Sequence, residues 1–193
     1  AAVAAAGVLN TIAVSYVKIA NDIRFLGSGP TSGISELKIP SLQPGSSIMP
    51  GKVNPVMSEM MMQVAAKVVG NASTVSWSGA LGNFELNVMM PVLAHALLES
   101  VDLLANAATT FAERCVSGCE ANVERARELV ERNAIVVTAL NPYIGYDNGS
   151  RIAKQAVATG ASVRELVLAE GLMAEDELDA HLDIKKMTEG GVV

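Results

Sequence analysis

The chain has 193 residues, enough for one large hydrophobic core or two small ones without help from disulfides or a structural metal. Half of the residues are apolar and 18% are charged, a composition that excludes an intrinsically disordered chain. The 14 Lys and Arg against 20 Asp and Glu give a net charge of -6, so we expect no nucleic-acid partner. Its two cysteines, Cys115 and Cys119, are too few for a disulfide framework or a zinc site, and they favour free thiols in the cytoplasm.

Apolar residues spaced by three or four predict a first helix over residues 1–26, ended by Gly27. Its beginning is almost continuously apolar, a pattern also typical of a signal peptide or a membrane span. Polar residues at Asn10 and Ser15 interrupt the run and Lys18 closes it, so we interpret the segment as a buried core helix and expect no membrane association. Because no initiator Met precedes it, we expect the sequence to be a piece of a longer protein.

Two more long helices are predicted in the first part of the chain. Gly, Ser and Pro dominate residues 27–51, which predicts a long loop. Helical periodicity returns at about 54–76 and again at about 84–116. Helices this long and this apolar must pack into a bundle, and we expect the bundle to be shared between copies of the chain in a homo-oligomer.

After Gly118 the composition becomes more charged, which predicts a second, smaller domain. An amphipathic helix is expected over about 120–140, followed by a turn. Shorter helices are expected at 150–159, 162–170 and 174–182. With no alternating strand pattern anywhere, the predicted fold class is all-α, a long-helix bundle over 1–118 and a small helical C-terminal domain over 119–193.

The segment 45–55 reads Gly-Ser-Ser-Ile-Met-Pro-Gly-Lys-Val-Asn-Pro and joins the loop to the second predicted helix. Its final Asn-Pro pair suits the N-cap and the first position of a helix. Free N–H groups and the positive end of the helix dipole favour an anion there, and Lys52 adds a full charge. Ser46 and Ser47 place hydroxyls on a loop able to close over that anion. These residue types predict a carboxylate-binding corner, with an ordinary surface loop as the alternative.

The same segment resembles the signature loop of the fumarase/aspartase superfamily, and every fixed position of that pattern is present. Further stretches resemble class II fumarases, so that the likeness spans nearly the whole chain; they lie at 18–24, 82–87 and 144–147. The glycine at position 51 resembles the fumarase pattern, whereas aspartases typically carry Ala at this position. The resemblance therefore implies a fumarase, with an aspartase as the alternative.

The resemblance implies roles for six residues. Ser46 would be the base that removes the C3 proton of the substrate, activated by N–H groups of the closed loop. Glu59 would orient a catalytic histidine that handles the water. The substrate would be bound by Ser47, Lys52, Val53 and Asn54. No cofactor and no metal ion are implied.

The implied reaction is the reversible trans addition of water to fumarate, giving malate, in a homotetramer with a central helix bundle. The family's active site is assembled from segments of three subunits, and neither His95 nor His181 matches its catalytic histidine. His95 is expected to be a core residue and His181 to be solvated. The chain by itself is therefore expected to be inactive. A non-catalytic scaffold, as in lens crystallins, is a further alternative, against which the intact Ser46, Lys52 and Glu59 argue.

Overall fold

Within the described residues, 1–189, the computed structural model is built mainly from helices, as the sequence predicts. Its first unit, Ala1–Asn122, contains three helices of 25 residues each. These are α1 (Ala2–Leu26), α2 (Val56–Ala80) and α3 (Met90–Arg114). Helix α2 packs along both of the others, so the middle helix of the sequence is also central in the unit.

The buried stripe of α1 consists of small residues. Its three buried side chains are alanines spaced by seven, at Ala6, Ala13 and Ala20. An apolar repeat of seven residues is the pattern of helices that pack side by side over several turns. The facing stripe on α2 carries the larger side chains Met61, Val68 and Val75 together with Ala65. The alanines therefore leave room for α2 to lie close to α1.

Outside this stripe, Leu9, Tyr16 and Val17 are half-buried against the core, but much of the α1 surface is exposed in this chain, so the expected core helix is only partly buried. Its large outward side chains are Val3, Val8, Ile12, Val14, Ile19 and Phe25. Among the described residues, α1 is also the one helix that is long and apolar enough to cross a membrane. Of its most apolar segment, 11% is buried. Core helices covered by other chains share this length and composition.

Two short strands hold the long loop against the end of α3. Strand β1 (Leu37–Lys38) pairs antiparallel with β2 (Glu120–Ala121), with Leu37 opposite Ala121. The Asn122 side chain donates to the carbonyl of Ser35 at 2.9 Å. Strands of two residues are too short to produce an alternating pattern, which explains why the sequence did not predict them. Their pairing keeps the segment up to Asn122 in the first unit, whereas the sequence predicts the domain boundary after residue 118.

The second unit begins at Val123 and is formed by short helices. They are α4 (Val123–Glu131), a 3₁₀ helix (Ala134–Leu140), α5 (Asn141–Ile144), α6 (Tyr146–Thr159), α7 (Val163–Ala169), α8 (Glu175–His181) and α9 (Ile184–Thr188). The core of this unit is aliphatic and includes Leu140, Ile152, Val167 and Leu178. A capping box at Ser162 and Glu165 fixes the start of α7.

Several predicted helix boundaries are wrong. The helix predicted over 120–140 breaks at Asn133, whose side chain accepts from the Ile135 N–H and starts the 3₁₀ helix. The third long helix begins at Met90 rather than near residue 84, because Asn83 and Leu86 pair in a tight turn. In both places a polar turn-forming residue overrides the apolar periodicity on which the prediction was based.

A polar cluster joins α2 to α3 in the middle of the bundle. The buried Asn71 amide donates to Glu99 Oε2 at 2.8 Å and to Ser100 Oγ at 3.1 Å. Lys67 Nζ lies 3.1 Å from the same Glu99 oxygen. The hydrogen bond from Asn71, followed by the interaction with Lys67, holds the pKa of Glu99 below its ordinary value of 4.5. The ionised form of Glu99 is thus favoured by folding.

Because the folded pKa of Glu99 is lowered, its contribution to stability is present above pH 4.5 and is lost as the pH falls through the folded pKa. We expect Glu99→Gln to lower the free energy of unfolding at neutral pH, and the difference from wild type to shrink below pH 4.5. Urea unfolding across this pH range measures it. Glu113→Gln, at an exposed acid on the same helix, is the control. A Glu99→Gln difference independent of pH would contradict the assignment.

The alanine stripe of α1 generates a second prediction. Ala13 is fully buried against α2, so Ala13→Leu forces extra volume into a closed contact and should destabilise the chain by about 1–3 kcal/mol. Chemical denaturation measures this loss. Ala105→Leu, at an exposed position of α3, should change stability far less. Equal effects of the two substitutions would mean that the stripe is not closely packed.

Candidate functional site

The loop that precedes α2 is closed at its base by a backbone hydrogen bond. The Gly45 N–H donates to the Lys52 carbonyl at 2.7 Å. The far side of the loop is a turn in which the Lys52 N–H donates to Met49 O at 3.2 Å. Pro50 and Gly51 occupy the central positions of this turn, and Gly51 has φ +78°, the left-handed value that glycine adopts without strain. Residues 45–52 thus form a small ring that ends next to the helix.

Ser46 is part of this ring, and its hydroxyl oxygen is held by backbone N–H groups of the loop. The N–H groups of Ile48 and Met49 both donate to Ser46 Oγ, each at 3.2 Å. Two donors on one hydroxyl oxygen stabilise negative charge on that oxygen and so favour its deprotonated form. The resemblance implies such donors in the loop, but the sequence alone does not identify the Ile48 and Met49 N–H groups. The glycine before Ser46 and the turn at Pro50 were the available signals.

Asn54 connects the loop to the start of α2. Its side-chain amide donates to the Gly45 carbonyl at 3.1 Å, and its own carbonyl accepts from Val56 N–H at 2.9 Å. The helix begins at Val56 after Pro55, so the predicted start at residue 54 and the predicted capping by Asn54 are wrong. The Asn54 side chain turns back to the loop instead of bonding to the N–H groups of the helix.

An open cavity of about 470 Å³ lies beside the loop. Among the predicted site residues, Ser46, Lys52 and Val53 line it together. Ser47 is exposed, and neither Ser47 nor Asn54 belongs to its wall. Glu59 also lies outside that wall, in the first turn of α2. The remaining lining residues are Ser41, Leu42, Gln43, Pro44, Met49, Pro50 and Gly51.

Neither histidine contributes to this cavity. His95 is exposed on α3, which corrects the expectation of a core histidine. His181 in the second unit is half-buried and stacks on Tyr143 with ring centroids 3.7 Å apart. Because it packs on an aromatic ring, His181 is less exposed than the solvated histidine that was expected.

Both cysteines are free thiols, and Cys115 is buried. Burial, followed by the proximity of Cys119, raises the pKa of the Cys115 thiol to about 11. Cys115 packs in the core of the first unit beside the fully buried Ser58, which lies in the first turn of α2. Within residues 1–189, no cluster of three or more His, Cys, Asp or Glu side chains is arranged to hold a metal ion.

Comparison with known proteins finds matches in both units. The Fumarase C C-terminus family matches residues 136–189, and the Lyase family matches residues 1–70. The chain is 50% identical over 189 residues to the class II fumarate hydratase of Mycobacterium tuberculosis, a match that covers 96% of this chain and 40% of that protein. It is 46% identical over 184 residues to the aspartate ammonia-lyase of Bacillus subtilis, covering 95% of this chain and 39% of that protein.

Solved structures show the same likeness. A fumarate lyase:delta crystallin from Brucella melitensis has a TM-score of 0.92 at 46% identity, covering 96% of this chain and 40% of that chain. The recombinant class II fumarase of Schistosoma mansoni has a TM-score of 0.83 at 36% identity, covering 92% and 37%. The chain spans about 40% of the length of the curated relatives it matches. With a signature loop closed beside a cavity, two matching families and relatives at this level of identity, the chain belongs to the fumarase/aspartase superfamily.

Proposed function

We propose that this chain is part of a class II fumarate hydratase, which interconverts fumarate and malate. The observation that carries the proposal is Ser46 Oγ, held by two backbone N–H groups beside a cavity that Lys52 also lines. A weakly acidic hydroxyl acts as a base only where its anion is stabilised, and those donors provide that stabilisation. The identity to the Mycobacterium tuberculosis fumarate hydratase supports the same assignment.

In the dehydration direction, the Ser46 alkoxide takes a proton from C3 of malate. The electron pair of the broken C–H bond moves into the neighbouring carboxylate, which becomes a doubly negative aci-carboxylate. Lys52 and the N-terminal end of α2 attract this charge more strongly than the charge of the bound substrate, and this difference lowers the barrier. The C2 hydroxyl then leaves as water, with a proton from a histidine that Glu59 orients and that another segment supplies. Ser47, Val53 and Asn54 are proposed to contact the dicarboxylate.

An aspartase is the second candidate, because the aspartate ammonia-lyase of Bacillus subtilis is 46% identical to the chain. The same base and the same aci-carboxylate would serve in that reaction, with ammonia leaving instead of water. The catalytic residues of the loop therefore serve either reaction, and within the loop it is the resemblance at Gly51 that favours the fumarase. A requirement for ammonium during the loss of fumarate would identify the aspartase.

The exposed apolar side of α1 supports a homo-oligomer, for which we propose the tetramer of this family. Its large side chains, among them Val8 and Phe25, form a helix surface wider than a single chain covers. An assembly that buries this surface in a central bundle would remove it from water. We place the assembled enzyme in the cytoplasm, without a cofactor and without a nucleic-acid or membrane partner.

The test of the proposed function is Ser46→Ala in the complete protein. Removing the base should lower kcat for malate dehydration by about 100-fold or more, with little change in stability, because Ser46 is half-buried and its loss opens no core. The ultraviolet absorbance of fumarate follows the reaction, first in buffer alone and then with added ammonium.

Ser32→Ala is the control, since Ser32 lies in the same long loop outside the cavity wall and should leave kcat unchanged. An unchanged rate in Ser46→Ala would remove Ser46 from the mechanism. The 193-residue chain alone should show no turnover, because the proposed site needs a histidine from elsewhere. Measurable hydration of fumarate by that chain would refute this assembly.

A further inference from the structure

Gly45 is held on both sides of its peptide backbone. Its N–H donates to the Lys52 carbonyl at 2.7 Å, and its carbonyl accepts from Asn54 Nδ2 at 3.1 Å. The contact is tight, because a Cβ at position 45 would lie 2.6 Å from the Lys52 oxygen and 3.1 Å from Asn54 N. Gly45, immediately before Ser46, is therefore the joint at which the loop is fastened to Lys52 and Asn54.

The two hydrogen bonds at this joint differ in what they require. The bond to Lys52 joins two backbone groups, so any residue at position 52 can make it. The bond from Asn54 needs a side-chain N–H donor, which the ionised carboxylate of an aspartate does not have. Asn54 is thus the side chain that specifies how the base of the loop is closed.

Asn54 is itself attached to a rigid element. It is followed by Pro55, whose ring restricts the backbone, and the 25 residues of α2 begin at Val56. The first turns of α2 are fixed by buried packing of Ser58 and Met61. Because Asn54 is fixed by the helix, its amide also fixes the position of Gly45, which adjoins Ser46.

We propose that Asn54 is a positioning residue, whose amide fastens Gly45 to the start of α2 and so fixes the base of the loop that carries the Ser46 hydroxyl. This inference rests on the proposed function and extends it. One N–H of the amide serves the loop, and the second remains for a substrate carboxylate. A role limited to substrate contact would leave the closure of the empty loop independent of Asn54.

The test is Asn54→Asp, which keeps the shape of the side chain and removes the donor. Hydrogen exchange of the substrate-free chain, followed at the Gly45 amide, should become about three- to tenfold faster. In the complete protein, kcat should fall by about tenfold to 100-fold, because misplacement of a reacting group mainly affects the chemical step, and KM should also rise, because the new carboxylate repels the dicarboxylate. Gly45→Ala forces the same joint open without adding a charge, so it should give the faster exchange and the lower kcat with KM within about twofold.

Asn122→Asp is the matched control. Asn122 makes the same kind of bond in the same unit, from a side-chain amide to the carbonyl of Ser35, so its loss should leave the exchange of Gly45 at the wild-type rate. Unchanged exchange of Gly45 in Asn54→Asp would overturn the proposal. A raised KM with unchanged kcat would also overturn it, in favour of a substrate ligand. If the wild-type complete protein does not convert malate or fumarate, the proposed function fails, while the exchange comparison still decides whether Asn54 closes the loop.

Discussion

The site depends on the packing that fixes the first turns of α2. Met61 and Ser58 are fully buried there, against a core that also contains Phe111 and Cys115 of the end of α3. Because this end of α2 cannot shift without disturbing that core, Asn54 and the loop it fastens have a fixed support. The loop that holds the Ser46 hydroxyl against two N–H donors is thus supported by a rigid helix bundle.

The existence of the long helices and the chemistry of the loop follow from the sequence. Apolar residues repeat with helical spacing over α1 and α2, and a Gly-Ser-Ser segment before an Asn-Pro pair predicts a loop joined to a helix start. The resemblance of residues 45–55 to a superfamily loop then implied a role for each of the site residues. Two matching families and structures with the same fold confirm that recognition and the helical fold.

What the sequence did not predict depends on contacts between distant residues or on choices among local hydrogen bonds. The pairing of Leu37 with Ala121 joins segments far apart in the chain, and periodicity carries no information about it. Asn54 was expected to cap a helix, but its amide bonds to Gly45 instead. Capping would use the side-chain oxygen of Asn54 as an acceptor, whereas the bond to Gly45 uses its amide N–H as a donor, and only the three-dimensional path of the loop decides between them. The exposure of His95 likewise depends on how α3 is rotated against α2.

Helix α1 reverses the usual distribution of side-chain size, with alanines inside and large aliphatic and aromatic groups outside. The free energy that folding of this chain gains from α1 therefore comes from close backbone approach and from half-buried groups such as Leu9 and Tyr16, whereas Val8 and Phe25 remain in water. A mutational screen for thermal stability on the separate chain would score polar replacements at Val8 or Phe25 as neutral. Such a screen would thus overlook the positions that the proposed assembly buries between copies of the chain.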